Sequence, residues 1–167
     1  PYPTDLPTGM RAYYLSRKGL DGNNDNAFMF ELLPYGTRLE ANKPYLVQIT
    51  DGQTHQLPTM HNVSVPVSPG YEASSVAATD DSDWKFYGTA ERINNEEASE
   101  KKAYYLSGNK WWAVRNGVEN DYIAPFRAFI CSPTGAVPSK SFAMVLDGDN
   151  DVTGINKLES KTSDDIK

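Results

Sequence analysis

The sequence predicts an all-β domain, an antiparallel β-sandwich with little helix. The 167-residue chain holds ten Tyr, six Phe and three Trp, side chains that suit the pleated, half-buried surface of a sheet. Short runs of such residues recur between clusters of Gly, Pro, Asn and Asp, the punctuation of strands and turns. Within the runs the apolar residues alternate. Phe28, Phe30 and Leu32 share one face of their segment; Tyr45, Val47 and Ile49 share one face of theirs, with Leu46 and Gln48 on the other. A period of two means one buried and one wetter face. Many short strands without long helical patterns point to a sandwich or a partly closed barrel.

In chain order the strands are expected at Met10–Ser16, Phe28–Leu33, Pro44–Thr50, Thr54–Leu57, Val63–Val67, Trp84–Thr89, Ala103–Ser107, Trp111–Arg115, Pro125–Cys131 and Ser141–Leu146. Asp51-Gly52 and Gly108-Asn109 each separate two runs as a hairpin turn would, because Gly tolerates positive φ. Asn116-Gly117 closes the strand that follows the second of these. Ala90–Lys102 is rich in Glu, Asn and Lys and lacks a continuous apolar stripe, so it reads as a solvated loop or a short surface helix. Ser68–Asp83, with Pro69-Gly70 at one end and an Asp-rich end at the other, reads as a loop. Residues 1–156 are expected to form one domain, and 157–167 a polar flexible tail.

The pentapeptide Ala12-Tyr13-Tyr14-Leu15-Ser16 recurs unchanged as Ala103-Tyr104-Tyr105-Leu106-Ser107. Each copy is followed by a Pro, an aromatic residue and an alternating run, at Pro44–Ile49 and Pro125–Ile130. Proline lacks an N–H and sits well at the start of a strand. Two echoes in the same order imply a duplicated β-unit that supplies corresponding strands to two related halves.

Charge narrows the choice of partner. The formal net charge is -6, and an acidic domain is repelled by phosphate backbones, so no nucleic acid is expected as a ligand. No apolar run reaches the roughly 20 residues of a spanning helix. The first residues, from Pro1 to Pro7, do not read as a signal peptide, and a start at Pro rather than Met suggests a trimmed chain whose export signal lies outside it.

Catalytic motifs are weak. The single cysteine, Cys131, cannot form an internal disulfide and reads as a small buried hydrophobe in a strand. His55 and His61 lack zinc-site spacing, and no Gly-x-Ser-x-Gly elbow accompanies them. Asp147, Asp149 and Asp151 alternate as a calcium loop begins, but Val152 stands where that loop needs Gly and Leu158 where it needs Glu. Asp21–Asn26 makes a similar partial match, and Asp80, Asp81 and Asp83 form a third acidic group. These fit ordinary turn chemistry as well, so no cofactor is expected and calcium is the one metal with any support. Asn62-Val63-Ser64 matches a glycan-acceptor pattern.

Aromatic residues are the better lead. Trp111 and Trp112 are adjacent, as are Tyr104 and Tyr105; neighbours in a strand face opposite sides, so one of each pair is expected outward. An exposed Trp or Tyr offers a flat apolar face for a sugar ring or a protein pocket.

The order Arg38–Leu46, Phe86-Tyr87-Gly88-Thr89, Tyr104–Asn109, Ala124–Phe129 and Thr153-Gly154-Ile155-Asn156 resembles a β-rich module of Bacteroidetes cell-surface proteins, often C-terminal to leucine-rich repeats or other surface domains. The resemblance spans about residues 10–156. It implies an extracellular or surface-anchored protein with protein or glycan partners, and it supplies no catalytic residues. The leading expectation is a non-catalytic module supporting adhesion or protein–protein interaction. A carbohydrate-binding module using exposed aromatics comes next, and a glycan-processing enzyme third.

Overall fold

The structure, a computed structural model, describes residues 6–34, 36–40, 43–56, 76–77, 83–132 and 139–147. Among these residues nine strands and one short helix follow in order: β1 (Met10–Leu20), β2 (Asn26–Leu32), β3 (Leu46–Ile49), β4 (Val76–Ala77), β5 (Lys85–Thr89), α1 (Asn95–Glu100), β6 (Ala103–Ser107), β7 (Lys110–Ala113), β8 (Arg127–Cys131) and β9 (Ser141–Asp147). The chain is mostly β, as its alternation predicts. The strands hydrogen-bond into one sheet, in the order β3-β1-β2-β9-β7-β6-β8-β5-β4, where two stacked sheets were expected. One ladder is parallel, β2 with β9, so the sheet is mixed.

Ring contacts show how one sheet makes its own core. Phe30 on β2 and Phe86 on β5 are five strands apart in the order, roughly 24 Å in a flat sheet with spacings of about 4.8 Å. Their ring centroids lie 5.8 Å apart. The sheet therefore curls into a half-barrel, and its inner face holds Tyr13, Leu15, Phe28, Phe30, Trp84, Phe86, Tyr104, Trp111, Ile130 and Phe142. Phe28 is the hub: it stacks on Phe142 at 4.3 Å and meets Trp84, Tyr104 and Trp111 edge-on. Polar tips in this core find partners at its margin. Tyr13 donates to Gln48 Oε1 at 2.6 Å, and Tyr104 to the Ser139 carbonyl at 2.9 Å. The indole N–H of Trp111 has no acceptor among the described residues, so volume rather than hydrogen bonding suits Trp to that position.

The repeated pentapeptide marks two strand triplets. β1 lies between β2 and β3, and β6 lies between β7 and β8; in each, the pentapeptide strand is central, the next strand returns by a hairpin and a later one pairs on the other side. β9 joins the triplets, parallel to β2 and antiparallel to β7. The registers differ. Aligning Pro44 with Pro125 sets Leu46 on Arg127, yet Tyr13 pairs Leu46 while Tyr104 pairs Ile130, three residues further on. An odd shift reverses the face. Leu46 packs against the inner core while Val47 and Ile49 are exposed.

Several expected boundaries move. β1 continues past Ser16 to Leu20 through a bulge between Leu15 and Arg17. The run expected from Thr54 is irregular through Gln56: Asp51 accepts from the Gln53 N–H and meets the His55 ring at 2.8 Å, folding this segment back on itself. Gly9 makes room for that arrangement, since a Cβ there would lie 2.1 Å from Asp51 Oδ2. The span read as a loop from Ser68 contains β4. Val63–Val67, His61, Asn62, Asp80, Asp81 and residues 148–167, with the tail boundary, lie outside the described residues. In Ala90–Lys102, α1 is capped by Asn94, whose side chain accepts from the Glu97 N–H, with Glu96 and Glu97 in the first turn. It is not wholly solvated: Ala98 and Ile93 are buried in a second cluster with Ala103, Val114, Ile123, Phe129 and Cys131 on the outer face.

Replacing Phe28 by Ala removes four ring contacts at once and is expected to cost about 3–5 kcal/mol. Trp112→Ala on the outer face is expected to cost less than about 1 kcal/mol. Urea unfolding of both variants beside wild type checks the contrast.

Candidate functional site

The β6–β7 hairpin decides which aromatics reach the surface. Its turn is Gly108-Asn109, with φ 57° and 62°. Both residues are left-handed, which makes the two-residue primed turn whose twist suits a hairpin. This tight turn pairs Leu106 with Trp111, Tyr105 with Trp112 and Tyr104 with Ala113. Tyr104 and Trp111 turn inward and are 0% and 1% exposed. These two expected platform residues are core residues, and burial pushes the Tyr104 hydroxyl up to about 12. Tyr105 and Trp112 face outward, directly opposite each other. Trp112 is 41% exposed, and its indole N–H donates to the Ser107 carbonyl at 3.1 Å. That bond leans the ring toward the turn and satisfies its polar edge locally.

The outward pair begins a row that crosses four strands. Trp112 is opposite Tyr105, Tyr105 opposite Phe129, and Phe129 opposite Tyr87. Phe129 and Tyr87 stack at 5.2 Å with ring planes 13° apart. The row passes from exposed indole to buried phenyl, because the second cluster with α1 covers the β8 end and leaves the β7 end open. On the far side of Trp112 stands the small Ser141 of β9, and Lys110 lies two residues along its own strand.

Asp121 supports this face and was not anticipated. It is 5% exposed and takes Arg115 Nε at 2.6 Å, Arg115 Nη2 at 3.3 Å and the Arg115 backbone N–H at 3.3 Å. The guanidinium holds its carboxyl below the ordinary carboxylate range. Burial, then the nearby Asp121 charge, raises the Tyr105 hydroxyl. An Arg and an Asp six residues apart around Asn116-Gly117 are unremarkable in sequence; only the folded turn brings them together. Alternation from Pro125 predicts Phe126 within a strand. It instead precedes β8 with φ 58° and is 80% exposed, its N–H held by the Thr89 carbonyl at 2.8 Å.

Of the calcium candidates Asp147, Asp149 and Asp151, only Asp147 lies among the described residues. It ends β9 beside Glu31 of β2. The Glu31 carboxylate already accepts from the Tyr14 and Ser16 hydroxyls, which hold it below its ordinary range. Asp21 accepts from the Asn23 and Asp25 N–H groups inside its own turn. Among the described residues no three His, Cys, Asp or Glu side chains form a metal-binding group, and no helix is long and apolar enough to cross a membrane. Cys131 is buried, and desolvation pushes its thiol up to about 12. No protein-family model matches the chain, and the searches of curated proteins and of solved structures find no significant match.

Two outcomes follow from these environments. A carboxyl held low in the folded state stabilises above its unfolded value, near pH 4, and that stabilisation is lost as pH falls through the folded value. Asp121→Asn is therefore expected to lower the urea midpoint at pH 7, with the gap from wild type closing at more acid pH. Cys131, buried and fully protonated, is expected to ignore a maleimide at pH 8 in the native state and to react at once in urea; mass spectrometry of the labelled chain reads this directly.

Proposed function

We propose that this domain is a non-catalytic, carbohydrate-binding module of a bacterial surface protein, extracellular or anchored at the cell surface, and that it binds a glycan on the outer face of β6 and β7. One observation carries the reading: Trp112 and Tyr105 are cross-strand neighbours on the outer face, with the indole 41% exposed and hydrogen-bonded to the hairpin it stands on. A ring fixed in this way offers a flat apolar face at little entropic cost, which suits stacking on a sugar. The surface address rests on the resemblance to Bacteroidetes surface modules, and an origin of the two triplets by duplication rests on the repeated pentapeptide and the echo that follows each copy. Both described edge strands are short, four residues in β3 and two in β4, which gives strand addition by a protein little to build on.

A second reading, adhesion through protein contact, is favoured by Phe126. A phenyl group 80% exposed on a left-handed backbone is held out at a conformational cost of about 1–2 kcal/mol, and such anchors are typical of protein hot spots. A glycan array and a panel of immobilised surface proteins, probed with wild type, Trp112→Ala and Phe126→Ala, separate the two. Sugar binding lost only in Trp112→Ala supports the glycan module. Protein binding lost in Phe126→Ala, with a blank array, replaces it by the adhesion reading.

A further inference from the structure

We propose that the glycan is anionic, a carboxylated or sulfated polysaccharide recognised by Lys110 and Arg127 on either side of Ser107; this rests on the glycan reading of the Trp112 face. Lys110 pairs Ser107 across the β6–β7 ladder. On the other side Tyr105 pairs Phe129, the last pair of the β6–β8 ladder, and Arg127 lies two residues further along β8, toward the Ser107 end of β6. Lys110 and Arg127 thus flank the Ser107 end of β6, one step toward the turn from the row of Trp112, Tyr105 and Phe129. Residues two apart in a strand share a face, so both cations project on the side of the indole.

Both cations are exposed, and no carboxylate lies within ion-pair distance of either among the described residues. By contrast, the Arg115 charge on the same face is taken up by Asp121. The acids of α1 belong to a helix that packs through Ala98 with Ala103 and Cys131, at the opposite end of β6. On a chain of net charge -6, two like charges set across three neighbouring strands without a counter-ion repel each other and gain nothing from the fold. A ligand anion would relieve that repulsion. Small side chains complete the fit: Ser141 is opposite Trp112 and Ala143 opposite Lys110 on β9, so the indole and the cations stand above their neighbours. A pyranose stacked on Trp112 would place an acidic substituent over Ser107, between the two cations.

The test uses matched polymers: polygalacturonate against its carboxyl-reduced neutral form, and dextran sulfate against dextran, in affinity electrophoresis and calorimetry. The expected result is that one acidic polymer binds at least about tenfold more tightly than its neutral counterpart, the loss of one charge-assisted contact being worth about that factor. Which of the two acidic polymers binds identifies the anion. Lys110→Gln and Arg127→Gln should each weaken acidic-polymer binding about tenfold and leave the neutral polymer unchanged, and salt near 0.5 M should mimic them. Equal binding of acidic and neutral polymers, indifferent to both Gln variants, overturns the anionic inference and leaves the stacking reading standing. Binding of poly-glutamate as tight as that of the acidic polymer and unaffected by Trp112→Ala also overturns it, since charge alone would suffice. Failure of all four polymers, together with a blank glycan array, overturns the glycan reading itself.

Discussion

Eight of the described strands send side chains to the inner face of the sheet, and most of the rings that meet there touch Phe28. A single sheet has no second layer against which to bury such a face, so the face must close on itself. Curling removes the rings from water at about 25 cal/mol for each Å² of apolar surface, and edge-on and stacked pairs add to that. The inner core also fixes the phase of each strand. Once Tyr104 and Trp111 are committed inward, the two-residue pleat leaves Tyr105 and Trp112 no choice but the outside. The candidate site is thus a consequence of the core, reached through the tight Gly108-Asn109 turn that sets the register.

β9 is the element that turns two triplets into one sheet. Each triplet alone would present an open edge, at β2 and at β7, and exposed edges invite unwanted pairing. β9 fills both, with a parallel ladder on one side and an antiparallel one on the other, and adds Phe142 to the stack on Phe28. A strand arriving late in the chain to satisfy two earlier edges makes contacts of long sequence separation. These are slow to form but hard to open locally.

Alternation and turn chemistry made most of the strands legible, since Phe28, Phe30 and the 103–107 segment could hardly sit on anything but a half-buried sheet. Alternation says that two faces differ; it does not say which is inner. That is why Trp111 and Tyr104 read as equal candidates with Trp112 and Tyr105, and why Val47 and Ile49, the more apolar face of β3, turn out exposed while Leu46 packs inward. One curled sheet and two stacked sheets also share the same local pattern, because both have one dry face; the difference lies in which strands meet at long range. The irregular course after Asp51 was hidden for a different reason. A side-chain bond from Asp51 to His55 competes with ladder pairing, and Thr54 and Gln56 give no hint of it. Asp121 and Phe126 were invisible because their roles depend on backbone paths, the 115–121 turn and a left-handed residue, that leave no compositional trace.

The outer face shows what the core does not require. Under α1 it is covered by a second cluster, and Phe129 and Tyr87 are packed there as rings in a sheet usually are. One strand pair away the cover stops. Trp112 keeps an exposed indole beside Ser141 and Ala143, where a small or β-branched residue would fill the ladder equally well. Burial alone does not call for a Trp at this position, since the residue is 41% exposed, and its indole hydrogen bond goes to its own hairpin. Nor does pairing explain Lys110 and Arg127, which have no counter-ion among the described residues while Asp121 neutralises Arg115. Trp112 and Lys110 on the hairpin, and Arg127 on the neighbouring β8, are three residues that stability does not call for on one face, and the proposed glycan site rests on that coincidence.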